Sequence, residues 1–226
     1  MGTSNKPSGI YLINKPISWS SFDVVKKIRF TFKKKYHLSK LKVGHCGTLD
    51  PLASGLLIIF VGDKTKEIKL YQDLDKQYIA TIKLGAITDS YDRETPEKNH
   101  KKCSLSNNGI QQAVLSFMGK QRQVPPIFSA IKINGERLYK HARKGNLKIH
   151  IEPRIIEIHK IRILSVDFPF IQFSVHCSKG TYVRSLANDI GLKLGCGAYL
   201  YNLERTNIGE HSLSQAYNLQ EFIKKL

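Results

Sequence analysis

Six apolar residues in succession, Leu56 to Val61, lie between Gly55 and Gly62. The run is far too short to cross a bilayer as a helix. A short apolar run between glycines is typical of a strand that is buried on both faces. The run therefore predicts a strand in the interior of a sheet, and a fold built on that sheet.

Other segments show either the alternation of strands or the spacing of helices. Further strands are predicted at Ile10–Ile13, Tyr78–Leu84, Leu147–Ile151, Ile155–Val166 and Ile171–Cys177. Helices are predicted from a side-chain cap at Ser20–Asp23 through Phe32, over Ile110–Met118, over Glu136–Lys144 after a turn at Asn134–Gly135, and over Val183–Leu194. Many strands with dispersed helices indicate an α+β fold with a mixed, mainly antiparallel sheet flanked by helices and loops. Because there is no long linker, we expect residues 1–226 to form a single domain.

The charge is unusually positive. Thirty-six Lys and Arg residues stand against eighteen Asp and Glu residues, a net charge of +18. Eight Lys or Arg residues and one acid, Glu136, fall between Lys120 and Lys148, so residues 120–148 are predicted to form a basic arm laid on a polyanion. Charge alone does not distinguish RNA from DNA or from an anionic membrane.

The N-terminal sequence has no apolar signal region, so a cytoplasmic location without membrane insertion is the default expectation. Cys46, Cys103, Cys177 and Cys196 form no C-x-x-C pair, which predicts reduced, mainly structural thiols. The histidines show no pair at metal-ligand spacing. The segment TDSYDRE contains three acids, Asp89, Asp92 and Glu94, that resemble part of a metal site. We expect them in a solvated loop, so no metal is predicted.

One carboxylate lies in a strongly basic part of the chain. Between Val24 and Gly62 there are eight Lys or Arg residues and a single acid, Asp50, within GHCGTLDPLASG. The preceding glycines permit a tight loop and the following proline favours an extended backbone, which places Asp50 at the mouth of the buried strand. The ordinary alternative is a turn aspartate that bonds its own backbone. An acid on a basic face repels phosphate, so we expect it to be held by a cation or used in chemistry.

Arg184, in CSKGTYVR, falls in the first turn of a predicted helix. The helix macrodipole disfavours a cation there by about 0.3–1 kcal/mol, which indicates that an anion faces the guanidinium. Solvent, a phosphate or Asp50 could be that anion. A pair with Asp50 would keep the carboxylate ionised and nucleophilic.

Taken together, several stretches closely resemble the TruB family of tRNA pseudouridine synthases. They are GIYLINKPISWSSFDVV, VGHCGTLDPLASGLL with VGDKTK, DKQYIATIKLGAITDSYD, QVPPIFSAIKINGERLYKHARKG, and CSKGTYVRSLANDIG followed by LERTNIG. The resemblance implies the pseudouridine synthase fold and conversion of the T-loop uridine at tRNA position 55 to pseudouridine. It also implies that no cofactor or metal takes part.

The resemblance assigns catalytic roles to three residues. Asp50 matches the aspartate that attacks or deprotonates the ribose while the glycosidic bond breaks, after which the uracil rejoins through C5. Arg184 matches the arginine paired with that aspartate. Tyr78 matches the tyrosine that stacks on the target base and is implicated in proton transfer at C5. From pattern alone, Tyr78 would be a half-buried packing residue.

The same resemblance assigns substrate contacts. His45 matches the histidine that fills the space left by the flipped uridine, and Tyr182 and Leu203 match residues around the uracil, although each could be a core residue on pattern alone. Lys15, Lys179 and the basic arm are expected to hold the tRNA T-arm. The expected partner is tRNA, for a monomer with no obligate protein partner.

Three departures from the family pattern stand out. Ser18 replaces the usual glycine of K-P-x-G, and Cys46 replaces the usual threonine after the histidine. The chain stops at Leu226, so we expect a C-terminal PUA-type RNA-binding domain to be missing or vestigial, with the basic charge, including Lys33–Lys35, compensating in part.

Three other functions compete with this interpretation. A non-catalytic RNA-folding module would gain nothing from Asp50 on a basic face. A metal-dependent nuclease would need the carboxylate cluster that the sequence does not provide. A guide-RNA-directed synthase of the box H/ACA type is a closer alternative, and the short chain argues against it.

Overall fold

The computed structural model describes residues 6–102, 104–133 and 135–226. Its strands are β1 (Gly9–Lys15), β2 (Val43–Cys46), β3 (Ala53–Val61), β4 (Lys76–Leu84), β5 (Gly119–Gln123), β6 (Lys132–Ile133), β7 (Glu136–Arg137), β8 (Arg154–Asp167), β9 (Phe170–Cys177), β10 (Ala198–Ile208), β11 (His211–Ser212) and β12 (Tyr217–Asn218). Its helices are α1 (Ser21–Lys35), α2 (Ile68–Gln72), α3 (Asn107–Leu115), α4 (Leu138–Arg143), α5 (Val183–Lys193) and α6 (Leu219–Lys225). Cys103 of the predicted thiols and Asn134 of the predicted turn lie outside the described residues.

The chain divides into two compact units. The first unit ends at Tyr78 and resumes at Leu203–Leu226, and the second is Ile79–Asn202. The chain passes from one unit to the other within β4 and within β10. The prediction of one catalytic domain over residues 1–226 is not decided by this division and stays a prediction.

In the first unit, strands assemble around β3. The strands β1 and β2 pair with β3 in antiparallel register, and β12 adds to β1 in parallel. The segment Leu203–Arg205 of β10 pairs in parallel with Ala53–Gly55, the start of β3. The end of the loop that carries Asp50 is thereby fixed against β10.

The strand β3 is buried on both faces. All residues from Leu56 to Val61 are 0% exposed. Leu57, Ile59 and Val61 share a cluster with apolar residues of α1 and α6, whereas Leu56, Ile58 and Phe60 belong to a second cluster. Burial of each such side chain contributes about 1.5–3 kcal/mol. The prediction of a doubly buried strand is confirmed.

The helix α1 begins where the sequence predicted. The Ser20 hydroxyl accepts a hydrogen bond from the Asp23 N–H, and the Asp23 carboxylate accepts one from the Ser20 N–H, both at 3.1 Å. This reciprocal capping box satisfies two N–H groups that the first turn would otherwise leave unbonded. Lys33–Lys35 lie in the last turn, where the macrodipole favours cations.

In the second unit, the strands β4, β9, β8 and β5 are neighbours in that order, and β6 and β7 form a separate two-stranded sheet. The strands β8 and β9 are antiparallel, as are β5 and β8, and α3 contacts β8 and α5. The predicted α+β class with a mainly antiparallel sheet is confirmed. Within the described residues, no helix combines the length and the apolar character needed to cross a membrane.

The predicted strand at Leu147–Ile151 is wrong. These residues are irregular, and Leu147, Lys148 and His150 are exposed. A strand needs a buried face and a paired neighbour, and the segment has neither among the described residues.

Candidate functional site

The loop that carries Asp50 is held on both sides of that residue. The Ser21 hydroxyl, which is buried, donates to the Leu49 carbonyl at 3.0 Å and accepts from the Leu49 N–H at 2.8 Å. The Ser18 N–H donates to the Pro51 carbonyl at 2.8 Å. Asp50 itself is partly buried, and its carbonyl accepts from the Ala53 N–H at 3.1 Å. The backbone on either side of the carboxylate is therefore fixed, by Ser21 at the start of α1 and by Ser18 in the turn before it.

Ser18 makes its bond to Pro51 from a left-handed backbone. Its φ is +67°. Such a conformation costs an L-residue about 1–2 kcal/mol and costs glycine much less. The departure from the family's glycine therefore leaves the loop contact in place but adds local strain.

Arg205 is a site residue that sequence reasoning missed. Its side chain is 1% exposed, its Nε donates to the Leu56 carbonyl and its Nη2 to the Gly47 carbonyl, both at 2.8 Å. These two carbonyls lie at the two ends of the segment that contains Asp50. Gly55, with φ +104°, allows the close approach, since a Cβ there would lie 2.4 Å from the Arg205 carbonyl oxygen. No local pattern in LERTNIG distinguishes this arginine from an exposed one.

Lys15 is not placed to contact RNA. It is 0% exposed, and its Nζ donates to the carbonyls of Pro16 at 2.9 Å and Trp19 at 2.6 Å. The Lys15 pKa is lowered to about 8, chiefly by burial; the charge of Asp50 opposes this shift and that of Arg205 adds to it. The prediction that Lys15 holds the T-arm backbone is not supported, and its position indicates that it shapes the turn before α1.

The other predicted residues of the first unit occupy regular strands. His45 is on β2 opposite Ile59, and burial, followed by the charge of Arg205, lowers its pKa. The His45 Nδ1 is buried and accepts or donates no hydrogen bond among the described residues. Tyr78 is 9% exposed on β4, and Leu203 is half-buried on β10 opposite Ala53.

Cys46 belongs to the core. It is 0% exposed, lies opposite Ile58, and packs in the cluster of Leu56 and Phe60. Burial raises the pKa of its thiol. The replacement of threonine by cysteine therefore puts a thiol into an apolar cluster, where no hydroxyl has to be satisfied. The other described cysteines, Cys177 and Cys196, are buried as well.

In the second unit, Arg184 occupies the first turn of α5, as predicted. It is 3% exposed, and its guanidinium donates to the carbonyls of Ser90 at 3.1 Å and Phe128 at 2.9 Å. Its Nε lies 3.7 Å from the Asp92 carboxylate. Asp92 is 5% exposed, so its expected place in a solvated loop is wrong. No pattern in the sequence indicates this, because nothing in TDSYDRE separates Asp92 from the other two acids, the partly buried Asp89 and the exposed Glu94.

Tyr182 is the residue immediately before α5, and Gln123 holds its backbone. The Gln123 side chain accepts from the Tyr182 N–H at 2.8 Å and donates to the Tyr182 carbonyl at 3.1 Å. Ser185 donates to the Val124 carbonyl at 2.7 Å. The start of α5 is therefore fastened to the end of β5. Gln123, buried at 3% exposure, was also missed from the sequence.

The predicted RNA contacts of the second unit are exposed. Lys179 lies in the turn before α5 and is exposed. All eight basic residues of the arm at 120–148 are exposed: Lys120, Arg122, Lys132, Arg137, Lys140, Arg143, Lys144 and Lys148. Only Arg143 and Lys144 of these pair with acids in the described residues, Glu94 and Glu136. The arm therefore presents a mainly positive surface.

Comparison with known families decides the classification. Residues 33–183 match the TruB family pseudouridylate synthase N-terminal domain, and residues 184–226 match the tRNA pseudouridylate synthase B C-terminal domain. The chain belongs to the TruB family. Pseudouridine synthases are isomerases, so the predictions of family, fold and enzyme class are confirmed.

Similar proteins span nearly the whole chain. A tRNA pseudouridine synthase B of Chloroherpeton thalassium is 47% identical over 97% of this chain and 91% of its own length. The protein of the same name from Clostridium acetobutylicum is 48% identical over 94% of this chain and 71% of its own length.

Solved structures share the TruB fold at lower identity. A chain in a Cbf5-Nop10-Gar1 complex is 27% identical with a TM-score of 0.70, and a chain in an H/ACA RNP bound to a substrate RNA containing 2′-deoxyuridine is 25% identical with a TM-score of 0.67. Each match covers 96% of this chain. The chain spans about half the length of these two, 54% and 52%.

Proposed function

We propose that this chain converts a uridine of tRNA to pseudouridine and that the uridine is the one at position 55 in the T-loop. Membership of the TruB family and near full-length similarity to tRNA pseudouridine synthases B support the reaction and the class of RNA. The single observation that carries the proposal is the fixed loop of Asp50, bonded through Leu49 to Ser21 and through Pro51 to Ser18. Catalysis requires a reacting group held in one position, and these bonds fix the backbone on both sides of the Asp50 carboxylate.

Asp50 is the proposed catalytic group. The target uridine has to leave the stacked loop before its C1′ can be reached, and unstacking costs a few kcal/mol. The carboxylate then attacks C1′ or removes a proton from C2′, the glycosidic bond breaks, and the uracil rejoins through C5. No metal or cofactor enters these steps in the proposal.

Arg184 is proposed to pair with Asp50 and hold its carboxylate in position, and Tyr78 to stack on the target base. His45 is proposed to fill the space of the flipped uridine, with Tyr182 and Leu203 around the uracil. The burial of Arg184 and the two carbonyls that orient it support a fixed guanidinium. A double-mutant cycle with Asp50→Asn and Arg184→Gln tests the pairing: coupled residues give a double variant that is little worse than either single variant.

The exposed arm at 120–148 and Lys179 are the proposed contacts with the T-arm backbone. RNA of this shape is bound through phosphates and splayed loop bases more than through a groove code. Because each neutralised phosphate releases counterions, affinity should fall steeply as salt rises. The enzyme is proposed to act in the cytoplasm as a monomer without an obligate partner.

Mapping of pseudouridine at single-nucleotide resolution tests the substrate assignment. Unmodified tRNA transcript is incubated with the protein, and pseudouridine is located by carbodiimide labelling and primer extension. We expect one new modification, at the T-loop uridine, and none when that uridine is replaced by cytidine. Modification elsewhere with an untouched T-loop would overturn the assignment.

Similarity to chains from H/ACA particles supports a second candidate, guide-directed modification. The two candidates differ in what they bind. A guide-directed enzyme prefers a guide RNA to tRNA and needs it for activity, whereas the proposed enzyme modifies tRNA alone. Competition between the two RNAs for the protein separates them.

A further inference from the structure

A cavity lies beside the start of α1, outside the residues assigned above to the reaction. Its volume is about 470 Å³, and it is lined by Ser18, Trp19, Asp23, Lys26, Lys27 and Phe30. All of these residues belong to the first unit. This volume lies within the range of about 300–1,000 Å³ that is typical of pockets for small molecules.

Aromatic and basic side chains alternate on one face of α1 next to this cavity. Phe22, Lys26 and Phe30 follow at intervals of four residues, which places them in one row along the helix. Phe22 is 52% and Phe30 65% exposed, and the Lys26 Nζ lies 4.9 Å from the centre of the Phe22 ring. The buried face of α1 is a different one, formed by Val24, Val25, Ile28 and Phe32. The row is therefore additional to what packing of the helix requires.

The chemistry of the row favours nucleic acid over other macromolecules. Aromatic rings stack on bases while lysines contact the flanking phosphates. Lysine is depleted from the core of protein–protein interfaces, so a protein partner fits this surface less well. A lipid surface has no planar group that would stack on the exposed ring of Phe30.

The acid in the lining does not oppose this assignment. The Asp23 carboxylate accepts hydrogen bonds from the Ser20 N–H and hydroxyl, at 3.1 and 2.5 Å, as part of the cap of α1. It also lies 3.9 Å from the Lys26 Nζ. Its charge is therefore engaged by the helix start, and the net charge presented by Lys26 and Lys27 is positive.

The cavity is linked to the loop of Asp50 through Ser18. Ser18 lines the cavity, and its N–H donates to the Pro51 carbonyl. An RNA that presents a uridine to Asp50 would therefore pass close to the row on α1.

We propose that this cavity is a nucleobase-binding subsite, in which a base of the RNA substrate stacks on Phe30 beside Trp19 while Lys26 and Lys27 hold flanking phosphates. The substrate class rests on the proposed function. The subsite would act in binding and orientation, since none of its residues is assigned to the reaction.

Trp19 makes the subsite directly observable. It is the only tryptophan of the chain, so all tryptophan fluorescence reports on the cavity lining. We expect unmodified tRNA to change this fluorescence in a saturable way. RNA binding that leaves the Trp19 signal untouched would overturn the proposal.

Variants of Phe30 and of the lysines separate stacking from charge. Phe30→Ala and Phe30→Leu should weaken tRNA binding at least about fivefold, and Phe30→Tyr should restore it, because stacking needs a ring face. These variants should leave the salt dependence unchanged. Lys26→Gln with Lys27→Gln should instead lower the slope of log K against log salt by about 0.7–0.9 for each phosphate that is no longer neutralised.

Phe168→Ala is the matched control, since Phe168 is another largely exposed phenylalanine, at 56% against 65% for Phe30, and lies between β8 and β9. It should bind tRNA as the unchanged protein does. Equal affinity of Phe30→Ala and Phe168→Ala would overturn the subsite. Binding to phosphatidylglycerol vesicles that depends on Phe30, with tRNA affinity unaffected, would overturn it in favour of a membrane contact.

The test of the subsite can fail or succeed independently of the test of the proposed function. If tRNA gains pseudouridine and Phe30→Ala binds it normally, the subsite is wrong and the reaction stands. If Phe30→Ala weakens RNA binding and the unchanged protein forms no pseudouridine, the subsite stands and the reaction is wrong.

Discussion

The hydroxyl of Ser21 bonds both backbone groups of Leu49, donating to the carbonyl at 3.0 Å and accepting from the N–H at 2.8 Å. Ser21 is the first residue of α1, and Leu49 directly precedes Asp50. A single buried side chain thus ties the position of the proposed catalytic loop to a helix that is anchored in the core.

Ser21→Ala should impair both stability and turnover. Loss of the hydroxyl leaves two buried backbone groups of Leu49 without their partner, at a cost of about 1–3 kcal/mol. Pseudouridine formation at saturating tRNA should fall while tRNA affinity is kept. The matched control is Ser20→Ala, which removes the cap of the same helix at about 1 kcal/mol without touching Leu49. Equal turnover of the two variants at a temperature where both are folded would contradict the positioning role.

Ser18→Gly should relieve the left-handed backbone at φ +67°. The strain that is relieved outweighs the larger conformational entropy that glycine loses on folding, by at most about 1 kcal/mol. The melting temperature should therefore rise slightly. Ser18→Val should lower it, because a β-branched residue tolerates positive φ poorly. A melting temperature unaffected by either change would show that the strain is not expressed in stability.

Arg205→Lys should lower turnover more than affinity. A lysine cannot bond the carbonyls of both Gly47 and Leu56 with the geometry of the guanidinium, and the absence of either bond costs about 1.5–3 kcal/mol. We expect kcat to fall about tenfold with little change in KM, a drop of about 1.4 kcal/mol in transition-state stabilisation. The control is Arg162→Lys on an exposed position of β8. A change confined to KM would contradict positioning of the loop.

The buried side chain of Lys15 should make the stability of the protein depend on pH. Burial lowers its pKa from 10.5 to about 8 in the folded chain, so between these values the unfolded chain holds a proton that the folded chain has released. Stability rises with pH wherever the unfolded state binds more protons. The free energy of unfolding should therefore rise from pH 8 towards 10.5 relative to Lys15→Met, by at most roughly 3 kcal/mol. Urea unfolding of both proteins over this range measures it, and a constant difference would contradict the burial of the charge.

Much of the fold can be predicted from the sequence, because the patterns that indicate its helices and strands are local. The doubly buried run Leu56–Val61 and the capping pair Ser20–Asp23 each involve residues close together in the chain, and both predictions are confirmed. The motif containing Asp50 identified the family for the same reason.

The polar contacts that hold the site could not be predicted from the sequence. Arg205 bonds residues about 150 positions away, at Leu56 and Gly47, and Gln123 bonds Tyr182. Such pairs form only after the chain has folded, so the periodicity of apolar residues along the sequence does not indicate them. For Lys15 the sequence misled in the other direction. A lysine is expected at the surface, where it can contact RNA, but Lys15 is buried because backbone carbonyls accept hydrogen bonds from its ammonium group.

Release of tritium from C5-labelled uridine tests the role of Asp50 most directly. Unmodified tRNA transcript is incubated, with EDTA present, with the unchanged protein, with Asp50→Asn, and with Asp63→Asn as a control for loss of an exposed carboxylate, 91% exposed at its side chain. We predict release by the unchanged protein and by Asp63→Asn, and none by Asp50→Asn although it still binds tRNA. Release by Asp50→Asn at the rate of the unchanged protein would contradict the central claim that Asp50 is the catalytic group.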